Sequence, residues 1–170
     1  MPDITTIRPT DKSSIGKLNS KSRAWLDTVG FKAAPGTFTF LPDSSVVAVP
    51  AEGERIWSFA NLPMSLPEGH YRLELPGDDV DAQTDAALGW ALGSYEFTRY
   101  RKAKRAPAKL ASPAKANRAE VKRIAESVFL ARDLINTPCE DMGPAHLADA
   151  AVKVAKEFGA KASLLQLVKD

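Results

Sequence analysis

Residues 118–168, RAEVKRIAESVFLARDLINTPCEDMGPAHLADAAVKVAKEFGAKASLLQLV, hold two helical patterns, a break between them and a closing apolar run. In the first pattern Val121, Ile124, Ala125, Val128 and Leu134 or Ile135 recur at helical spacing, an apolar stripe on an otherwise polar helix. In the second, Leu147, Ala151, Val154 and Phe158 share one face, with Gly143 as N-cap, Pro144 at the favoured first position and Gly159 as the stop. AKASLLQLV (160–168) reads as a buried, parallel strand. Such a strand needs neighbours in its own sheet and helices over both faces, which two helices alone do not supply. Residues 117–170 are therefore expected to open a larger α/β domain, with Leu164, Leu165 and Leu167 not all buried within these 170 residues.

The break itself places Cys139 beside Glu140 and Asp141. A nucleophilic thiol needs a base or a cation to lower its pKa, and the nearest histidine, His146, lies beyond the turn. Each residue has a structural job instead. Asn136 tolerates the left-handed conformation that ends a helix, Thr137 is pushed to an extended conformation by Pro138, and the two carboxylates precede the positive end of the next helix. The helix-joint reading outweighs catalysis. His146, Asp149 and Glu157 could be drawn as metal ligands, but His146 and Asp149 form one i, i+3 pair of a kind common on solvated helix faces. His70 stands alone before a strand, and Trp25, Trp57 and Trp90 each sit in an apolar context that predicts core packing. No phosphate-cradling glycine loop appears, because ALGWALG falls inside a helix pattern.

Working upstream, DVDAQTDAALGWALGSYEF (79–97) carries Ala87, Leu88, Ala91, Leu92 and Tyr95 at helical spacing, with Asp81 or Thr84 as cap. Gly89 and Gly93, four apart, let one face of that helix approach a neighbour closely. HYRLEL (70–75) alternates as a strand, and GERIWSFANLPMSLPEG (53–69) allows only short helical turns between its prolines. GTFTFLPDSSVVAVPA (36–51) predicts a hairpin around Pro42-Asp43-Ser44, and SRAWLDTVGF (22–31) a short helix with Trp25, Leu26 and Val29 on one face, stopped by Gly30. The first twenty or so residues read as polar and loose at the start.

RYRKAKRAPAKLASPAKAN (99–117) changes composition abruptly. Ten of the 23 Lys and Arg residues fall in Arg99–Arg123 with Glu120 as the lone acid, so the overall charge of +2 conceals a basic segment in a chain whose remainder is net acidic. With Pro107 and Pro113 it predicts a linker that buries almost nothing. Its cations, with Tyr95, Phe97 and Tyr100 nearby, also offer a nucleic-acid surface, the lesser of the two readings.

At 44% hydrophobic and 26% charged residues, the composition is that of a soluble globular protein and excludes disordered and collagen-like classes. No apolar run approaches the ~20 residues that span a bilayer, and the polar N-terminus lacks a signal-peptide core. One cysteine forms no internal disulfide, which fits a reducing cytoplasm.

The order ALGWALGSYEFTRYRK (87–102), then ARDLINTPCEDMGPAHLADAAVKVAKEFGA (131–160), resembles the leucyl aminopeptidase (cytosol aminopeptidase) family of metallopeptidases. There a helix with Ala-Leu-Gly and Tyr-x-Phe closes the N-terminal domain, and an Asn-Thr-Pro turn opens the catalytic domain. The resemblance covers about Asp85 to Ala160 and implies a cytoplasmic, usually hexameric exopeptidase. It removes N-terminal residues from peptide substrates with two divalent metal ions, manganese or zinc. Those ions polarise the scissile carbonyl and generate hydroxide. The family's lysine motif, aspartates and Asn-Thr-Asp-Ala-Glu-Gly-Arg signature are absent here, and Asn136 and Thr137 are not assigned to a metal site. No catalytic, cofactor-binding or metal residue is therefore assigned. The expected organisation is α/β: a small mixed-sheet N-terminal domain with flanking helices (1–98), a basic linker (99–116), and the opening α-α-β segment of a catalytic domain (117–170). The rival reading is a non-catalytic assembly or nucleic-acid-binding module using residues 99–123.

Overall fold

The computed structural model describes residues 4–164. The chain forms two compact units, Met1–Phe129 and Leu130–Asp170.

The first unit is built on a mixed sheet of five strands in the order β2-β3-β1-β4-β5: β1 (Ile4–Pro9), β2 (Phe38–Phe40), β3 (Val46–Ala48), β4 (His70–Leu73) and β5 (Lys109–Leu110). β1 is central. It pairs in parallel with β3, Ile7 opposite Val46, and with β4, Ile7 opposite Leu73. The expectation of a loose N-terminus is therefore corrected: Ile7 is fully buried, and Ile4-Thr5-Thr6-Ile7 is a run of β-branched side chains that suits a strand. β2 and β3 form the expected antiparallel hairpin. Its turn is closed by Ser44 N–H donating to Leu41 O at 2.9 Å, and Asp43 accepts from the Ser45 amide and hydroxyl. Ser44 takes the left-handed backbone conformation the turn requires, φ 64°.

Helices cover both faces of this sheet. On one face Ile7, Val46, Ala48, Tyr71 and Leu73 pack with Phe59, with Leu62 of α3 (Leu62–Ser65), and with Ala86 and Trp90 of α4 (Val80–Gly93). On the other, Val47 packs with Leu26 of α2 (Ser20–Thr28), Leu41 and Ile15 of α1 (Lys12–Ile15). Fully burying one such aliphatic side chain contributes about 1.5–3 kcal/mol. Gly30 ends α2 at φ 63°, as expected, but the apolar face assigned to that helix narrows to Leu26, since Trp25 and Val29 are exposed.

α4 is capped by Asp79, which accepts from Ala82 N–H at 2.9 Å, rather than by Asp81 or Thr84. Thr84 is otherwise engaged: its hydroxyl donates to Val80 O and accepts from Asn117 N–H. Gly89 and Gly93 do what their spacing predicts. A Cβ at Gly93 would lie 2.7 Å from the carbonyl carbon of Ala60, and one at Gly89 3.0 Å from that of Ile56, with the oxygens nearer still. The segment Ile56–Ala60, which begins with a 3-10 turn at Arg55–Trp57, thus lies directly on α4.

The basic segment departs most from expectation. Lys109–Leu110 is the outermost strand, parallel to β4. Ala108, Pro113 and Ala116 are buried, and the buried Trp90 indole N–H donates to Ala108 O at 3.0 Å. Gln83 Oε1 accepts from Lys115 N–H, and Arg105 donates to the carbonyls of Met64 and Leu66. Residues 105–117 are therefore integral to the first unit, correcting the expectation that they bury almost nothing. Alanine and proline need little side-chain volume to be buried, so composition alone misreads them. α5 (Arg118–Asn136) follows, and Val121, Ile124, Ala125 and Val128 pack with Leu88 and Leu92 of α4 as their spacing predicts.

In the second unit α5 ends at Asn136 and α6 spans Pro144–Glu157. Thr137 is the one buried residue among those described between 130 and 164. The shared face of α6 is open, with Leu147 53% and Phe158 72% exposed, and Leu164 is 60% exposed. Residues 161–164 form no regular element. Leu165 and Leu167 of the expected strand lie outside the described residues.

Candidate functional site

The Asn136–Pro144 joint is a structural connection. Thr137 donates through N–H and hydroxyl to Asp133 O, which closes α5, and Asp141 N–H donates to Pro138 O at 2.9 Å. Asn136 does not adopt the left-handed conformation expected of it; α5 ends instead through the Thr137 bonds and the Pro138 break. Cys139 is exposed. His146 has a role that spacing alone did not reveal: its Nδ1 accepts from Gly143 N–H at 3.1 Å, the reciprocal half of a capping box at the start of α6. Gly143 has no side chain to supply the other half, so Gly-x-x-His carries no capping-box signature in the sequence. Gly159, at φ 66°, closes α6 as expected.

Of the three indoles, Trp90 alone is in the core; Trp25 and Trp57 are each 41% exposed. Trp25 Nε1 donates to Phe40 O at 2.9 Å, holding α2 to the edge of the hairpin. His70 is exposed as the first residue of β4. Of the ten cations in Arg99–Arg123, nine are exposed and Arg105 is partly buried against backbone carbonyls.

Within the first unit, α4, residues 107–112 and the first turns of α5 enclose an open groove of about 600 Å³. Trp90, Ala91, Leu110, Val121 and Ala125 line it, and Lys109, Arg118 and Lys122 stand on its rim.

The sheet order, the hairpin, α4 and β5 together form a domain that is known elsewhere. Residues 9–113 match the family profile described as M17 aminopeptidase, N-terminal domain. The chain belongs to the M17 aminopeptidase family. The match runs through β5, which agrees with the structure in placing residues 99–113 with the N-terminal domain. A protein of Rhodococcus opacus named "Probable cytosol aminopeptidase" is 37% identical over 47% of this chain and 19% of its own length. The protein of that name from Streptomyces avermitilis is 34% identical over 91% of this chain and 37% of its own. The crystal structure of cytosol aminopeptidase from Coxiella burnetii superposes with a TM-score of 0.78 at 32% identity, covering 94% of this chain and 37% of that one. The chain thus spans between a fifth and two fifths of the length of these relatives.

Against this identity the donor set can be tested for the two-metal centre that the resemblance implies. Among the described residues no group of three or more His, Cys, Asp or Glu lies close enough to hold a metal ion. His146 spends Nδ1 on Gly143. The described residues do not fit such a centre.

Proposed function

We propose that this chain provides the N-terminal domain of a di-metal aminopeptidase that removes N-terminal residues from peptides, and that residues from Arg118 onward open its catalytic domain. The observation that carries the reading is the match of residues 9–113 to the M17 N-terminal domain together with the 0.78 superposition on the Coxiella enzyme. The open apolar face of α6, with Leu147 and Phe158 exposed, supports it, since such a face belongs against further structure. The two divalent ions, manganese or zinc, would be held by residues other than those described. Action in the cytoplasm as a homohexamer completes the proposal. No helix among the described residues is long and apolar enough to cross a membrane.

The test has two arms. The 170-residue chain, purified free of proteases and supplied with manganese or zinc, is expected not to hydrolyse leucyl p-nitroanilide; turnover would overturn the assignment of chemistry elsewhere. A chimera in which residues 1–117 replace the matching domain of the Streptomyces relative is expected to assemble and hydrolyse that substrate. A folded chimera that stays monomeric and inactive refutes the domain reading. The second reading, nucleic-acid contact through Arg99–Arg123, rests on its nine exposed cations, and a steep fall of single-stranded DNA binding with salt would be its signature.

A further inference from the structure

The outer side of β5 is open. Lys109 N–H donates to Gly69 O at 2.9 Å and Ala111 N–H to Tyr71 O at 2.7 Å, so alternate residues of this segment spend their backbone groups on β4. By the alternation of the ladder, the N–H and C=O of Leu110 and Ser112 point the other way. Among the described residues no strand pairs with that edge. Beside it lies the groove of about 600 Å³, with Ala91, Leu110, Val121 and Ala125 among its lining residues. Its rim cations Lys109, Arg118 and Lys122 are all exposed, and the one acid in the lining, Glu126, is already 3.8 Å from Lys122.

We propose that this edge and groove form a docking site for an extended, acidic segment of a partner protein. The segment adds as a short strand to β5, sets one apolar side chain into the groove, and turns its carboxylates toward Lys109, Arg118 and Lys122. Main-chain hydrogen bonds give such strand addition its affinity, and pockets for alternate side chains give it specificity. Pro107 and Pro113 bracket β5 and keep the added strand short, so the groove and the rim charges decide what binds. Charge complementarity selects an acidic segment. The lining selects protein over nucleic acid: Trp90 is buried with its indole N–H tied to Ala108 O, which leaves no open aromatic face in the groove for a base to stack on.

The experiment uses the whole chain and a fluorescein-labelled heptapeptide, Asp-Leu-Glu-Val-Asp-Leu-Glu, followed by anisotropy. Saturable binding that weakens with salt is expected, and K109E/K122E should weaken it about tenfold or more while leaving thermal unfolding unchanged. Replacing the peptide's apolar residues by serine, or N-methylating alternate amides, should abolish it. Absence of saturable binding at low salt overturns the proposal, as does equal binding of the lysine-substituted peptide or indifference to K109E/K122E. Self-association of the chain that K109E/K122E abolishes would assign the groove to a second copy. Retention of a single-stranded oligonucleotide at the rim without peptide binding would assign it to nucleic acid. Either result overturns the acidic-segment reading.

Discussion

Gly89→Ala sets two physical effects against each other, and the structure decides the sign. In a solvent-exposed helix interior, alanine is favoured over glycine by about 1 kcal/mol, so the substitution would stabilise α4 if the space were open. The space is filled by backbone: a Cβ at Gly89 meets the Ile56 carbonyl, whose carbon is 3.0 Å away and whose oxygen is nearer. A main-chain obstacle cannot rotate aside as a flexible side chain does. Overpacking of this kind costs about 1–3 kcal/mol, and the backbone places this case at the upper end. The net loss is then about 2 kcal/mol, a fall in melting temperature of roughly 4–8 °C for a protein of this size. Urea unfolding followed by tryptophan fluorescence measures it, because the buried Trp90 sits one residue along the same helix. Gly93→Ala, which meets Ala60, is expected to behave alike. Stability equal to or above that of the parent chain would refute the close approach of α4 to residues 56–60.

Trp90→Phe leaves the Ala108 carbonyl without its indole donor and removes buried volume; a loss of about 2–3 kcal/mol is expected by urea titration. Limited trypsinolysis should cut first at Arg101, Lys102 or Lys104, while Lys109 and Lys115, whose amides are bonded to Gly69 O and Gln83 Oε1, resist. Hydrogen bonds from Ser14, and from the Ser13 hydroxyl, hold the Asp11 carboxyl down to about 2. A lowered folded-state pKa stabilises above the unfolded value near 4 and loses that stabilisation as pH falls through the folded one. Carbon-detected NMR should therefore show Asp11 titrating near 2, and Asp11→Asn should flatten the dependence of stability on pH between about 4 and 2. Finally, His146→Ala should speed amide exchange at the start of α6 by removing the acceptor for Gly143 N–H, while His146→Gln, which retains an acceptor, should restore protection.

The elements that could be read from the sequence are those whose signal is local. α5 shows its stripe of Val121, Ile124 and Val128 within a few turns, and the β2–β3 turn needs only Pro42-Asp43-Ser44. β1 was hidden because its burial depends on partners far along the chain: Ile7 alone is fully buried, while the threonines and Arg8 give the segment a polar reading. β5 was hidden for a different reason. Two residues between alanines and prolines carry no periodicity, and their place is fixed by β4, by Trp90 and by the amides that Gln83 and Thr84 bind. Asp79 rather than Asp81 or Thr84 caps α4, through the local bond to Ala82 N–H, while Thr84, inside the helix, bonds Val80 O and Asn117 N–H. For the candidate site, the helix break around Cys139 was legible in Asn136-Thr137-Pro138, whereas the groove beside β5 was not, because one of its walls, residues 107–112, was read as a linker.

The central position of β1 also has a kinetic meaning. The strand that leaves the ribosome first in this unit is the one whose neighbours, Val46 and Leu73, are made later, and the sheet's outer strand, Lys109–Leu110, comes later still. Contacts so distant along the chain slow folding, because loop entropy is lost before they form. Ile4–Pro9 therefore has both edges unpaired until Val46–Ala48 is made and one edge unpaired until His70–Leu73 follows, the interval in which a nascent strand of β-branched residues is open to wrong partners.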